Sequence, residues 1–221
     1  MAIKIGINGM GRIGRMIVRS IYENHKEKII IRHINNRSSS EICSKLLKYD
    51  SVHGKFNYEI KSAQNFIKIN KDKISYTQHS NINDIKWKKY DVDYVFECTG
   101  KFNSRNKLTP YLKNGVKKVI VSAPCKMADK TIVFGVNHKN INKSDKIISA
   151  ASCTTNCLAP VADVINKNFK ILNGFMTTIH AFTSDQRILD NSHKDLRRAR
   201  SANQSIVPTS TGASKAIGEI I

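Results

Sequence analysis

The sequence predicts an α/β fold built on a parallel sheet, followed by a second and different unit. Three observations predict it. Short β-rich runs alternate with helical periodicity over the first 150 residues. A glycine-rich turn, Gly9-Met10-Gly11-Arg12-Ile13-Gly14, joins the first strand to the first helix. From Lys146 onward the alternation gives way to one helix, one long apolar run and a polar stretch of about 25 residues.

In order, Ile3–Ile7 reads as a strand and Arg12–Asn24 as a helix. Lys28–Ile34 is the second strand, Ser40–Lys48 a helix, and Asn65–Thr77 a hairpin turning at Asn70-Lys71-Asp72. Asp93–Cys98 is a buried strand, Ser104–Asn114 a helix and Lys117–Val121 another strand. Ile147–Ala151 is a short strand, and Ser152 is placed to cap a helix that runs to Asn168 and bends at Pro160. Ile171–Phe182 is expected as a long strand, and a last helix lies near Gly212–Ile221. The natural division falls at residue 151, giving domains 1–151 and 152–221.

Bulk composition narrows the function. With 40% hydrophobic and 24% charged residues the chain is an ordinary globular one. No apolar run approaches the ~20 residues of a membrane span. Five scattered cysteines argue against a disulfide framework and for a reducing, cytoplasmic location. Cys153 and Cys157 lack a second ligand pair, so no metal site is expected. The net charge of +20 suits anionic ligands, but the lysines are spread rather than clustered, so nucleic acid is not the expected partner.

The glycine loop has a mechanical reading. Gly9 permits the tight turn, Gly11 lets backbone approach a pyrophosphate, and Gly14 lets helix and strand pack closely. This is the fingerprint of a Rossmann dinucleotide-binding domain. The second strand normally ends in a carboxylate that binds the adenosine ribose, about 20 positions beyond the last glycine. Here it ends in Asn36, with Arg37 beside it. That departure points to NADP in preference to NAD.

Cys153 opens the helix after the division. A thiol in a first helical turn feels the positive end of the dipole, which favours thiolate. His180, near the end of the returning apolar run, is placed to pair with it and to shuttle a proton. From the residues alone, a buried small thiol and a satisfied core histidine stand as the alternative.

The motifs INGMGRIGR, KYDSVHGKF, ECTGKF, VSAP, SCTTNCLAP, GVNH, MTTIHAF and PTSTGASKA together resemble phosphorylating glyceraldehyde-3-phosphate dehydrogenases from residue 3 to the end of the chain. The resemblance implies that 152–221 is the first part of an α+β catalytic domain. It implies Cys153 as nucleophile and His180 as acid and base, with oxidation of glyceraldehyde 3-phosphate to 1,3-bisphosphoglycerate through a thioester. It implies that Ser152, Thr154, Thr211 and Gly212 bind attacking phosphate, and that Thr183 and Arg198 contact substrate phosphate. Asn8, Arg12, Ile13, Thr99 and Ser122 are implied to line the NAD(P) cleft. Ser192 stands in Asp190-Asn191-Ser192, where NAD-using relatives carry Asp-Leu-Pro, and adds a polar donor toward the cofactor. The family forms homotetramers in which 183–207 packs between subunits, and its members continue beyond the position of Ile221. An erythrose-4-phosphate dehydrogenase, an inactive fragment and a basic binding protein are the rival readings.

Overall fold

The computed structural model describes residues 2–221. The chain divides into two compact units, one ending at Ser152 and the other comprising Cys153–Ile221. The first unit runs β1 (Ile3–Asn8), α1 (Arg12–Ser20), β2 (Ile29–Asn35), α2 (Ser40–Lys48) and a two-residue pair, β3 (Tyr49–Asp50) with β4 (Gly54–Lys55). It continues through β5 (Ile60–Ala63), β6 (Phe66–Ile69), β7 (Asp72–Thr77), β8 (Tyr94–Glu97), α3 (Arg105–Lys113), β9 (Lys118–Val121), β10 (Lys130–Thr131) and β11 (Ile147–Ser149).

Nine of these strands form one sheet in the order β10-β11-β9-β8-β1-β2-β7-β6-β5. It is parallel from β10 to β7 and antiparallel from β7 to β5. The order reverses between β1 and β8, the switch point at which open α/β sheets bind ligands. The alternation in the sequence produces this arrangement because parallel neighbours need a crossover, and α1 and α3 are crossovers.

The apolar residues of β1, Ile5 and Ile7, pack with Val18 of α1, Ile34 of β2 and Leu47 of α2. A second cluster joins Val95 of β8, Val119 of β9, Leu108 and Tyr111 of α3, and Trp87. Each such buried side chain contributes about 1.5–3 kcal/mol. Gly6 makes room for the indole, since a Cβ there would lie 2.5 Å from the Trp87 ring. Ser39 caps α2 by accepting from Ile42 N at 3.3 Å.

The hairpin expected over Asn65–Thr77 is present as β6 and β7, with Asn70 in the left-handed region at φ 50°. Its second strand is also the parallel neighbour of β2, which the local pattern did not disclose.

The second unit contains α4 (Cys153–Phe169) and α5 (Ala213–Ile220), which pack against each other. The first of these continues through Pro160 as a single helix. Ile171–Phe182, expected as a strand, is not one. A strand is held by ladder bonds to a neighbour, and among the described residues none pairs with this segment. Its apolar side chains lie in water, Leu172 at 95% and Phe175 at 97% exposure.

Candidate active site

The first unit's cleft forms where β1, β2, β7 and β8 end. Gly9 adopts φ 98°, and a Cβ on it would meet the Cys98 and Thr99 backbone at 2.8 Å. Gly14 is closer still: its Cβ would lie 2.0 Å from the Gly9 carbonyl oxygen. Gly11 faces open space, which leaves the start of α1 approachable. The loop is fixed by Gly9 N donating to Asn35 O at 2.8 Å and by the Arg15 guanidinium donating to Met10 O at 2.8 Å. Asn36 completes the clamp. Its Oδ1 accepts from Met10 N at 3.0 Å and its Nδ2 donates to Cys43 Sγ at 3.1 Å.

The cleft encloses about 210 Å³. Of the residues expected at the cofactor, Asn8, Gly9, Gly11, Asn36, Arg37 and Thr99 line it. Arg12, Ile13, Gly14 and Ser122 stand outside its walls. Arg12 pairs with Asp50, whose carboxyl is held below the ordinary range by that hydrogen bond and by the His53 and Val52 backbone N–H groups. Ile13 is half exposed, Gly14 packs under the loop, and Ser122 N donates to Glu97 O at 3.0 Å.

Sequence reasoning missed His79, Ser80, Ile82, Ile85, Lys101 and Phe102, which also line the cleft. His79 and Ser80 follow β7, and only the parallel pairing of β7 with β2 brings their loop to the site. Asn35 holds that loop in place, donating to His79 O at 3.0 Å and accepting from His79 N at 2.9 Å.

The second unit holds the thiol. Cys153 is the first residue of α4, and its Sγ lies 3.2 Å from His180 Nε2. His180 Nδ1 is 2.6 Å from Ala181 O, a carbonyl that can only accept. Nδ1 therefore carries a hydrogen, and Nε2 is the nitrogen that exchanges a proton with sulfur. Burial pushes the Cys153 thiol up. The His180 contact, the Thr154 backbone N–H and the Thr154 hydroxyl outweigh it, so the thiol sits below the ordinary thiol value. The Ala181 carbonyl and the Cys153 sulfur raise His180. Both shifts favour a thiolate–imidazolium pair. Burial drives the opposite way at Cys43, at Cys125 and at Cys98, which is pushed up to about 12. Cys157 is exposed one turn along α4.

The structure thus brings together Cys153, Thr154 and His180. Arg198 belongs to a second cluster, bonded to Asp185, to Thr209 Oγ1 at 3.0 Å and to Ser210 O at 3.1 Å. Thr211 Oγ1 accepts from Ala213 N at 3.2 Å, beside Gly212 at the start of α5. Thr183 Oγ1 accepts from Asp185 N at 3.3 Å. Ser192 presents its carbonyl to Arg187 at 2.9 and 3.1 Å. Ser152 ends the first unit.

Residues 3–105 match the family model described as glyceraldehyde 3-phosphate dehydrogenase, NAD binding domain. Residues 152–221 match the model for the C-terminal domain of the same enzyme. Curated relatives named glyceraldehyde-3-phosphate dehydrogenase are similar along the chain. The protein from Cereibacter sphaeroides is 47% identical over 221 residues, covering 100% of this chain and 66% of the relative. That from Xanthobacter flavus is 48% identical with the same coverage. That from Mycoplasma pneumoniae is 47% identical over 98% of this chain and 64% of its own length. The chain spans about two thirds of the length of these relatives. On two domain matches of one family and this degree of identity, the chain belongs to the glyceraldehyde-3-phosphate dehydrogenase family.

Proposed function

We propose that the whole protein oxidises glyceraldehyde 3-phosphate to 1,3-bisphosphoglycerate, with inorganic phosphate as second substrate and NAD(P) as oxidant, as a cytoplasmic homotetramer. The observation that carries this reading is the 3.2 Å contact between Cys153 Sγ and His180 Nε2, with Nδ1 anchored on Ala181 O. In this reading 1–151 is the dinucleotide-binding domain and 152–221 the first part of the catalytic domain.

The thiolate of Cys153 attacks the aldehyde carbon, and the former carbonyl oxygen takes a proton from His180. When the carbon gives up hydride, His180 removes that proton again and a thioester remains on sulfur. Bound NAD(P) supplies the hydride acceptor. A phosphate oxygen then attacks the thioester carbon, the carbon–sulfur bond breaks, and Cys153 leaves as thiolate. Ser152, Thr154, Thr211 and Gly212 are assigned to the attacking phosphate, and Thr183 and Arg198 to the substrate's own phosphate. The glycine loop fits a dinucleotide, because Gly11 leaves backbone open at the helix start where an anion is stabilised.

For the cofactor we favour NADP. Asn36 has one carbonyl oxygen, and Met10 N already donates to it. No carboxylate there accepts from the ribose hydroxyls or repels a 2′-phosphate. Arg37, exposed on the cleft wall, can bind that phosphate, a charged contact of about 1.5–3 kcal/mol. In the tetramer, Ser192 of a neighbouring subunit is assigned as a polar donor toward the cofactor. In kcat/KM measurements NADP should be preferred, and Asn36→Asp should move the ratio toward NAD by about tenfold. A wild type that favours NAD, or a ratio unmoved by the substitution, contradicts this.

The reaction itself is tested by mass spectrometry of the whole protein incubated with aldehyde and NAD(P) in the absence of phosphate. A 3-phosphoglyceroyl thioester on Cys153, absent from Cys153→Ser, is expected. An adduct on another residue, or turnover by Cys153→Ser, sinks the assignment. Erythrose 4-phosphate in the same assay should form its adduct more slowly.

A further inference from the structure

Bonded to the cleft residues Asn8 and Thr99 is a carboxylate with no part in the chemistry above. Glu97 ends β8 and is 1% exposed. Its Oε2 accepts from Asn8 Nδ2 at 2.8 Å and from the Tyr111 hydroxyl. Its Oε1 accepts from Thr99 N at 2.7 Å and from the Thr99 hydroxyl. No lysine, arginine or histidine is among its hydrogen-bond partners, and it takes part in no salt bridge among the described residues.

The bonds beyond it run in one direction. His33 Nε2 and Thr77 Oγ1 are 2.9 Å apart, and the Thr77 hydroxyl donates to Asn35 Oδ1 at 2.9 Å. Because that hydroxyl spends its proton on Asn35, it accepts from His33 Nε2–H. Asn35 Nδ2 donates to Asn8 Oδ1 at 2.8 Å, and Asn8 Nδ2 donates to Glu97. A relay thus crosses the ends of β2, β7, β1 and β8, and Glu97 receives it. Two of its members, Asn35 and Asn8, line the cleft, as do Thr99, which donates to Glu97, and His79, which Asn35 holds.

We infer that Glu97, in its ionised form, is the positioning residue that sets the shape of the cofactor cleft, and that dinucleotide binding is therefore linked to its protonation. All four donors aimed at Glu97 need an acceptor. A neutral carboxyl carries a proton of its own and has to turn one of them away. Thr99 is the least buried of these partners, and Asn8 and Thr99 both line the cleft. The titratable groups facing Glu97 are the Tyr111 phenol from α3 and the neighbouring Cys98 thiol. Burial pushes Tyr111 well above its ordinary value and Cys98 to about 12, so both stay neutral while Glu97 titrates. Burial also raises Glu97 itself, against the pull of Thr99, Tyr111 and Asn8, so it titrates above its ordinary value. The sign follows. Affinity is full above that midpoint and falls below it, by about tenfold per pH unit if only the ionised form binds.

This inference rests on the dinucleotide reading of the cleft. The test is the dissociation constant of NADH, read by its fluorescence on the whole protein across pH, because NADH carries no terminal phosphate that titrates near neutrality. The wild type should lose affinity toward acid. Glu97→Gln should bind about tenfold more weakly at high pH, with the acid loss reduced. Tyr111→Phe removes one donor, keeps the carboxylate, and should move the midpoint to higher pH. Circular dichroism at each pH establishes that the variants are folded. A wild-type acid limb that survives unchanged in Glu97→Gln, or an unmoved midpoint in Tyr111→Phe, overturns the inference and leaves the dinucleotide reading intact. A wild type that binds neither NADH nor NADPH at any pH overturns both.

Discussion

At His33 the fold holds a neutral imidazole away from water. Its ring stacks on Tyr90 at 3.8 Å and is edge-on to Trp87 at 5.3 Å. Burial first, and His79 second, push it down to about 3. An unfolded histidine titrates near 6.5. Its contribution to stability is therefore complete above about 6.5 and is lost as pH falls toward 3, by up to ~1.4 kcal/mol per unit. Urea unfolding at stepped pH should show that acid limb, and His33→Phe, which keeps the stack, should flatten it. An unchanged slope contradicts the account. Gly14 offers a steric test: an alanine Cβ 2.0 Å from Gly9 O cannot be accommodated without moving the loop. Gly14→Ala should lower stability by about 1–3 kcal/mol and weaken dinucleotide binding, seen as a lower Tm and a raised Kd. Full stability and affinity would show that the loop is not tight. At this scale the sequence was legible wherever a residue acts through its own neighbours, as Gly9, Gly14 and Cys153 do. Asn35 and Glu97 act through residues of other strands, and nothing local marks them.

Among the elements, helices and buried strands follow directly from hydrophobic period, and α2 falls on the expected residues Ser40–Lys48. β5 carries Lys61 and Ser62 and shows no apolar run to announce it. Pairing defines it, through Ile60 with Ile69 and Ala63 with Phe66. Pairing is also what Ile171–Phe182 lacks, so its β-like composition yields no strand. In the 221-residue chain its amides should exchange within about 1 kcal/mol of the unstructured rate, whereas those of β1 and β8, central in the sheet, should be the most protected. Hydrogen exchange with peptide-level mass spectrometry reads both. Protection of 171–182 equal to that of β1 would mean that a partner strand exists.

Over the whole molecule, the two units divide the work assigned to them: the first builds a cleft at the switch point of its sheet, and the second places a thiol at a helix start against a histidine. Much of this division was legible, because the glycine loop and the Cys153 helix each carry local signatures. The cleft's far wall was not, since it depends on the pairing of β7 with β2. In the proposed reaction Cys153 is a thiolate nucleophile maintained by His180. The most direct measurement is the rate of iodoacetamide labelling at each cysteine against pH, resolved by peptide mapping, in the wild type and in His180→Asn. Cys153 should label first, with a midpoint below the ordinary thiol value of about 8.5, and the substitution should move that midpoint upward. Earlier labelling of Cys43, Cys98, Cys125 or Cys157, or a Cys153 midpoint that is the same in both proteins, would contradict it.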